Sequence, residues 1–260
     1  MPFNLLLKLK ALRKSISVIK NWHLYPLLYF NLLNNDVTFI LKNKIKIKLR
    51  TNTTDIQAFT NVWLFNEYKD LTIEQNDTII DIGAHVGLFT LFVSQYCKKG
   101  RILCFEPIKE NYDVLSDNIQ LNKLENVKTF QSAVTDKGGI TKIFLSDDFS
   151  AHSLHGNGVG RDVTSISLKE IFDVNRIENC NLLKLDCEGS EYAILNALPE
   201  LYYNRTKKII MEYHMAYKKP ELLQELLVKL KEMSYEVTIH EKDKDSGILL
   251  ASKRKVKNDK

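Results

Sequence analysis

A short run with two glycines and a carboxylate, Asp81-x-Gly83-Ala84-x-x-Gly87, joins an apolar strand-like segment to a helix-like one. Gly83 allows a sharp turn, and Gly87 would let the backbone approach a ligand at the start of the helix. The Asp81 carboxylate, at the strand end, could hold a ligand ammonium directly or through water. The spacing differs from the G-x-G-x-x-G of dinucleotide sites. The run predicts a ligand-binding turn, and a glycine-rich turn without a ligand is the alternative.

A second carboxylate follows the next predicted strand. Glu106 lies in Phe105-Glu106-Pro107, nineteen residues after Gly87. A carboxylate at this place commonly accepts hydrogen bonds from both hydroxyls of a ribose. A single glutamate at a strand end is usually only solvated, but its distance from the glycine turn favours a cofactor site. Together these parts suit S-adenosylmethionine (SAM), with the adenine beside Ser132 and Ala133, which follow the third strand.

Acidic side chains and a histidine follow two further strands. Asp186 and Glu188 come after one predicted strand, and Glu212 and His214 end the next. The carboxyl ends of parallel strands meet at one edge of a sheet, so these groups should be neighbours. His214 or one of the carboxylates could take the proton of a hydroxyl nucleophile. The alternatives are a structural histidine and acids that favour a helix N-terminus. Oxygen ligands with an imidazole nearby would tolerate a divalent ion, but no spacing demands one, and no metal is predicted.

With these motifs the sequence resembles the FkbM-type SAM-dependent methyltransferases, which have the class I methyltransferase fold. The resemblance covers about residues 77–214, and its most specific piece is Asp-x-Glu-Gly-x-Glu at 186–191. The matching pieces are Asp81-x-Gly83-Ala84-x-x-Gly87, Phe105-Glu106-Pro107, Ala133-Val134, Leu183-Lys184-Leu185-Asp186-x-Glu188-Gly189-x-Glu191 and Glu212-Tyr213-His214. The resemblance implies methyl transfer from SAM, most often to a hydroxyl oxygen. A sugar, glycan or glycolipid-type molecule is the expected acceptor.

The elements that must position these residues alternate between strand and helix from Asp77 onward. This pattern predicts an α/β fold, a doubly wound, mostly parallel seven-stranded sheet of the Rossmann-like type. Segments 235–240 and 247–251 are joined by a charged turn without a helix, so they must form a closing antiparallel hairpin. The predicted domains are an N-terminal α+β extension (1–53), a SAM-dependent methyltransferase domain (54–252) and a basic disordered tail (253–260).

Charge is divided unevenly along the 260 residues. Residues 1–50 carry ten basic side chains and one acid, although the whole chain has a net charge of only +5. A basic amphipathic helix is predicted near the start, with an apolar stripe formed by Leu5, Leu9, Leu12, Ile16 and Ile19. Residues 1–21 would favour an anionic membrane surface or an acidic lipid-linked glycan. The alternative is a solvated face on a helix docked to the core.

The chain is expected to act in the cytoplasm, free or peripheral at the membrane. No signal peptide or membrane-spanning segment is recognised, and the four cysteines show no pairing pattern. Two other functions stay open from the residues alone: an NAD(P)-dependent oxidoreductase, since Glu106 would also suit its ribose, and a non-catalytic surface-binding module. The glycine spacing and the closing hairpin argue against the first, and the acid set against the second. No nucleic-acid partner is expected, because the body is acidic.

Overall fold

The computed structural model describes residues 5–144 and 160–254, and a seven-stranded sheet runs through its centre. The five strands from one edge through the middle are parallel to one another, as the alternating pattern predicted. In spatial order the strands are β11 (Tyr235–Glu241), β12 (Gly247–Lys253), β10 (Lys208–Tyr213), β9 (Leu182–Leu185), β3 (Thr78–Ile82), β4 (Arg101–Phe105) and β5 (Val127–Phe130). The predicted fold class is therefore confirmed.

The last two strands form the predicted antiparallel hairpin. Strand β12 lies between β10 and β11 and pairs antiparallel with both. Lys253, which the sequence analysis assigned to the basic tail, ends β12, and its ammonium donates to the carbonyl oxygen of Met233 at 2.6 Å. Residues 255–260 of the predicted tail lie outside the described residues.

Helices cover both faces of the sheet, and alternation along the strands shows why. Neighbouring residues of one strand, such as Ile79 and Ile80, belong to different hydrophobic clusters, as do Leu182 and Leu183. Successive side chains of a strand point to opposite faces, so both faces are buried. The helices are α1 (Leu5–Val18), α2 (Leu24–Tyr29), α3 (Asp55–Phe59), α4 (Leu88–Ser94), α5 (Lys109–Leu121), α6 (Leu168–Val174), α7 (Glu191–Ala197), α8 (Glu200–Asn204) and α9 (Pro220–Glu232).

The N-terminal extension shares its core with the sheet. It contains α1, α2 and an antiparallel hairpin of β1 (Val37–Ile40) and β2 (Lys46–Leu49). Phe39 of this hairpin belongs to the same buried cluster as Leu91 of α4. Asn118 of α5 holds the edge of β2, accepting from the backbone N–H of Lys48 at 2.7 Å and donating to its carbonyl oxygen at 3.1 Å. These bonds satisfy an edge strand that would otherwise expose unpaired backbone groups.

Only part of the apolar stripe predicted for α1 is buried in the structure. The helix buries Ala11 and Ser15 completely, whereas Leu5, Leu9 and Ile16 are exposed. An amphipathic helix with apolar residues on more than one side does not reveal from sequence which side meets the body. Ile19 of the predicted stripe, just after the helix, is fully buried.

Two further elements complete the fold. A π-helical turn, Thr60–Leu64, continues α3. A second, three-stranded sheet contains β6 (Ala133–Thr135), β7 (Gly139–Phe144) and β8 (Gly160–Ser167), with β8 in the middle. Over the ranges 5–144 and 160–254, no helix combines the length and the apolar character needed to cross a bilayer.

Candidate functional site

A cavity of about 390 Å³ opens where β3, β4, β9 and β10 end. In an open α/β sheet this edge is where ligands bind, and the volume lies within the range of small-molecule sites. The predicted site residues that line it are Gly83, Ala84, Glu106, Ala133, Asp186 and Glu188. Asp81, Gly87, Ser132 and His214 were predicted with them but are not among the lining residues. The structure therefore brings most of the predicted groups together around one space.

Gly83 forms the predicted sharp turn and fixes it against the end of β9. Its φ is +73°, in the left-handed region that favours glycine. A β-carbon at Gly83 would collide with the carbonyl oxygen of Asp186. The backbone N–H groups of Gly83 and Ala84 both donate to the carbonyl oxygen of Phe105, at 3.0 Å each. The turn thus joins the ends of three strands.

Gly87 serves the packing of helices in this structure. Its φ of +87° places it in the left-handed conformation directly before α4. A β-carbon at Gly87 would lie 2.7 Å from Cδ1 of Leu115 on α5. The close neighbour of Gly87 is thus a side chain of the protein, and the predicted approach of a ligand to its backbone stays a prediction.

Asp81 is completely buried, and its neighbours are protein groups. One carboxylate oxygen accepts from the Thr90 hydroxyl at 2.6 Å, and the other lies 3.3 Å from the ammonium nitrogen of Lys184. The predicted contact with a ligand ammonium stays a prediction, and the ammonium beside Asp81 here is that of Lys184. The Lys184 nitrogen also lies 3.3 Å from Asp186 and donates to the carbonyl oxygen of Gly83 at 2.8 Å.

Lys184 is a site residue to which the sequence analysis gave no role. It lines the cavity although its side chain is only 6% exposed. Burial works to lower the pKa of Lys184, but Asp186 and Asp81 outweigh burial and raise the pKa above its ordinary value. The available signal was a lysine inside the otherwise apolar strand Leu182–Leu185. Such a residue needs a buried counter-charge.

Glu106 is held at the cavity by backbone hydrogen bonds. One carboxylate oxygen accepts from the N–H of His85 at 2.8 Å, and the other from the N–H of Ile108 at 3.0 Å. Burial raises the pKa of Glu106 to about 7, although these bonds and the Asn111 amide work to lower it. A carboxylate can accept about four hydrogen bonds, so this one retains capacity for ligand hydroxyls.

An apolar slot lies beside Glu106. Ile108, Ala133 and Ile143 form a small buried cluster, and all three line the cavity. Ala133 was predicted near an adenine, and Ile108 and Ile143 were not identified. Ser132 is not among the lining residues. Its hydroxyl lies within hydrogen-bonding distance of the backbone carbonyl oxygens of Ala133 and Thr164, at 3.1 and 3.2 Å. A flat aromatic ring is the kind of group that such a slot can bury.

The acids and the histidine predicted to be neighbours do meet. The imidazole of His214 lies 3.5 Å from Glu188, 3.4 Å from Glu191 and 4.0 Å from Glu212. Burial alone would lower the pKa of His214, but the carboxylates of Glu191, Glu188 and Asp186 raise it to about 10. The group is therefore an imidazolium at neutral pH, which donates a proton and does not accept one.

The carboxylates of this group differ in their protonation. Burial raises the pKa of Glu188 to about 8, even though His214 lowers it. Burial also opposes ionisation of Asp186, but Lys184 and His214 hold its pKa below the usual range. Glu188 has a φ of +53°, an uncommon conformation for a residue other than glycine, which is found more often at functional sites.

Three of these residues are close enough to hold a metal ion. Within the described part of the chain, ligand atoms of Asp186, Glu188 and His214 all lie within 4.8 Å of one another. Oxygen and imidazole ligands suit several divalent ions. The prediction that the site uses no metal stays a prediction.

A buried ion pair connects the N-terminal extension with the cofactor side of the cavity. Arg50 binds the completely buried Asp55 through two side-chain nitrogens, at 3.0 and 2.8 Å. The same guanidinium donates to Asn111 at 2.9 Å, and Asn111 donates to Glu106 at 3.4 Å. His85 lies 3.5 Å from Asp55, and burial lowers the pKa of His85 to about 4. Sequence reasoning missed this network because its central contact, between Arg50 and Asn111, joins residues that are 61 positions apart in the chain.

Another part of the cavity wall comes from the segment that follows the β1–β2 hairpin. Thr54, Gln57 and Asn61 line the cavity with hydroxyl and amide groups. Glu67 and Lys242 also line it, and their side chains are 2.8 Å apart. Apart from this ion pair, the segment contributes uncharged polar groups and the apolar side chains of Ala58 and Val62, whereas the strand ends carry carboxylates.

A family model described as "Methyltransferase FkbM domain" matches residues 81–237, which is more than half of the chain. The match begins at Asp81 and ends in β11, so it includes the cofactor-side residues and the acid group. The N-terminal extension and the wall residues Thr54, Gln57 and Asn61 lie outside the match.

Two curated relatives are methyltransferases by name. "Methyltransferase sdnD" of Sordaria araneosa is 27% identical over 179 residues, covering 56% of this chain and 69% of the relative. "Hexuronic acid methyltransferase AglP" of Haloferax volcanii is 25% identical over 178 residues, covering 66% of this chain and 70% of the relative.

A solved structure shares the fold. "Methyltransferase FkbM" from Methylobacillus flagellatus KT superimposes with a TM-score of 0.52 at 16% sequence identity. The superposition covers 71% of this chain but 45% of that one, so this chain spans less than half of the solved protein.

Proposed function

We propose that this chain, which belongs to the FkbM methyltransferase family, transfers the methyl group of SAM to a hydroxyl of a sugar, glycan or glycolipid-type molecule. The observation that carries the proposal is that Glu106 and the acids around Asp186 line one cavity, at the ends of strands β4 and β9, which lie on either side of β3. One side suits a nucleoside, and the other suits a hydroxyl that must lose a proton.

The residues present fit SAM. The Glu106 carboxylate has acceptor capacity for ribose hydroxyls, and the slot of Ile108, Ala133 and Ile143 can bury an adenine ring. When bound, SAM supplies an electrophilic methyl group on a sulfonium. The Asp186 carboxylate, ionised next to Lys184, places negative charge on the side of the cavity where a cationic ligand would benefit from it.

On the acceptor side we assign proton removal to Glu188 in its ionised form, which becomes the major form above its raised pKa of about 8. Its carboxylate lines the cavity, which the His214 imidazole does not. His214 lies 3.5 Å from that carboxylate and, as an imidazolium, stabilises its charge. His214 is thus a positioning residue, and Asp186, tied to Lys184, orients the strand end. Removal of a proton in the transition state by a positioned base typically contributes about 10²- to 10⁴-fold in rate.

The proposed class of acceptor rests on the amide side chains that line the cavity. Gln57 and Asn61 offer both donors and acceptors, which suits a molecule with several hydroxyls. The relative named for hexuronic acid acts, by its name, on a sugar whose methylatable atoms are oxygens. A polyhydroxylated acceptor is therefore favoured over an apolar one.

Calorimetric titration of the full chain with S-adenosylhomocysteine tests the cofactor side. We expect Glu106→Ala to weaken binding by about tenfold to a hundredfold, the cost of hydrogen bonds to a charged group. Glu125→Ala, at an exposed glutamate outside the cavity, is the matched control and should bind normally. Unchanged binding in Glu106→Ala would contradict the proposal, and saturable binding of NADH in its place would favour an oxidoreductase.

Turnover tests the acceptor side. The enzyme is incubated with SAM and a panel of free sugars, oligosaccharides and glycolipids, and products are examined by mass spectrometry for one added methyl group. Glu188→Gln should keep S-adenosylhomocysteine affinity while its kcat falls by about 10²-fold or more. If Glu188→Gln turns over normally, the assignment of the base is wrong. If every hydroxylated acceptor stays unmodified, the proposed substrate class is wrong.

A further inference from the structure

One side of α1 exposes apolar side chains to solvent. Leu5 is 71% exposed, Leu9 56% and Ile16 44%, although all three belong to a helix docked on the body. They follow one another at steps of four and seven residues, so they form one stripe along the helix. The buried side, with Ala11 and Ser15, is a different one. Contiguous apolar patches on a surface mark interaction sites.

The exposed stripe is flanked by cations. Arg13 and Lys20 are exposed. Helical geometry places Arg13 within one residue's rotation of Leu9, and Lys20 follows two residues after the end of α1. Residues 5–35 contain five lysines and arginines and no acid. Apolar residues beside basic ones are the composition of a helix that lies in a membrane interface.

The lysines at the edges of the helix are held close to the body. The Lys10 and Lys14 ammonium groups lie 5.8 and 5.6 Å from the ring centre of Phe65, and Lys8 lies 5.9 Å from that of Phe30. Phe30 is itself 58% exposed, so the apolar surface continues from α1 to the end of α2. These contacts fix the orientation of α1, because the helix is docked through Ala11 and Ser15 and flanked by ring contacts.

We propose that the face formed by Leu5, Leu9, Arg13 and Ile16 of α1, together with Lys20 just beyond the helix, binds the surface of a membrane that contains anionic lipids. The leucines and the isoleucine enter the interface, and the cations contact the headgroups. Charge complementarity decides between occupants: a second copy of this face would bring its cations against equal cations. Nucleic acid would leave the apolar stripe unused.

Membrane contact would be close to the cavity. Helix α1 packs on the π-helical turn Thr60–Leu64, and Asn61 and Val62 of that turn line the cavity. The π-helical turn therefore contacts α1 and also forms part of the cavity wall. The proposal does not depend on the identity of the acceptor.

Co-sedimentation of the full chain with vesicles tests the proposal. Vesicles of phosphatidylcholine alone are compared with vesicles that contain phosphatidylglycerol. We expect binding to the anionic vesicles only, weakened by salt. The double variant Arg13→Glu/Lys20→Glu should bind at least about 25-fold more weakly, since each basic residue near an anionic surface contributes roughly a factor of five. Leu5→Ser/Leu9→Ser should also lose about tenfold or more.

Matched controls use exposed residues elsewhere. Ile140→Ser/Val228→Ser removes two apolar side chains that are 80% and 58% exposed, and it should bind vesicles like the unaltered chain. Circular dichroism and S-adenosylhomocysteine binding verify that each variant is folded. Equal binding to neutral vesicles, or binding that both α1 variants retain, overturns the proposal. So does a dimer in size-exclusion chromatography that only the α1 variants lose, because that result assigns the face to a second copy.

Discussion

Asp81 and Lys184 lie opposite each other on the neighbouring parallel strands β3 and β9, with 3.3 Å between carboxylate oxygen and ammonium nitrogen. Both side chains are almost completely withdrawn from water. The pair lies in the sheet centre, and Lys184 extends it to Asp186 at the cavity. The cofactor half and the acid half of the site are therefore connected by one buried cation.

The variant Lys184→Met should be strongly destabilised. It leaves the Asp81 carboxylate buried without a counter-charge, which costs about 3 to 5 kcal/mol in comparable cases. The measurement is the free energy of unfolding by urea denaturation at pH 7. Lys128→Met, at an exposed position of β5, is the control and should change little.

A second substitution separates charge from packing. Asp81→Asn combined with Lys184→Met removes both charges, so the double variant should be more stable than Lys184→Met alone. If the double variant is no more stable than the single one, the uncompensated charge is not the cause of the loss.

Binding of S-adenosylhomocysteine should strengthen as the pH rises through about 7. The pKa of Glu106 is raised to about 7 by burial. Below that pH the group is a neutral acid, and above it a carboxylate that accepts from ribose hydroxyls more strongly. The dissociation constant is measured by calorimetry between pH 5.5 and 8.5, roughly one and a half units to either side. In Glu106→Gln the affinity should be lower and nearly independent of pH, and an unchanged pH dependence would contradict the assignment.

Gly83→Ala should damage both folding and cofactor binding. The new methyl group meets the carbonyl oxygen of Asp186, a backbone atom that can move only with the end of β9. The left-handed φ adds about 1 to 2 kcal/mol. Gly139→Ala is an informative control, because Gly139 also has a positive φ but no atom within 4 Å of an added β-carbon. Thermal unfolding and S-adenosylhomocysteine titration should show a larger loss for Gly83→Ala, and equal losses would mean that backbone conformation alone matters.

Local patterns in the sequence were sufficient to predict the sheet and one edge of the site. The strand carrying Asp81 and the strand preceding Glu106 follow from apolar runs and turn residues, and the rule for strand ends brings Asp186 near them. The contact between Arg50 and Asn111 could not be predicted, because the two residues are 61 positions apart and nothing local indicates that they meet. The buried side of α1 could not be predicted either, because it depends on the surface of the domain against which the helix packs.

Titration of metal-stripped protein with Mg²⁺ or Mn²⁺ should show no saturable binding at the metal concentrations that would fill a dedicated site. Asp186, Glu188 and His214 could surround an ion, but a metal needs an unprotonated imidazole. Glu191, completely buried and 3.4 Å away, already holds His214 as an imidazolium, whose pKa is raised to about 10. Calorimetric titration at pH 7 measures binding, with Asp186→Asn as the control. Saturable binding that Asp186→Asn abolishes would show that these three residues form a metal centre, and the metal-free prediction would be wrong.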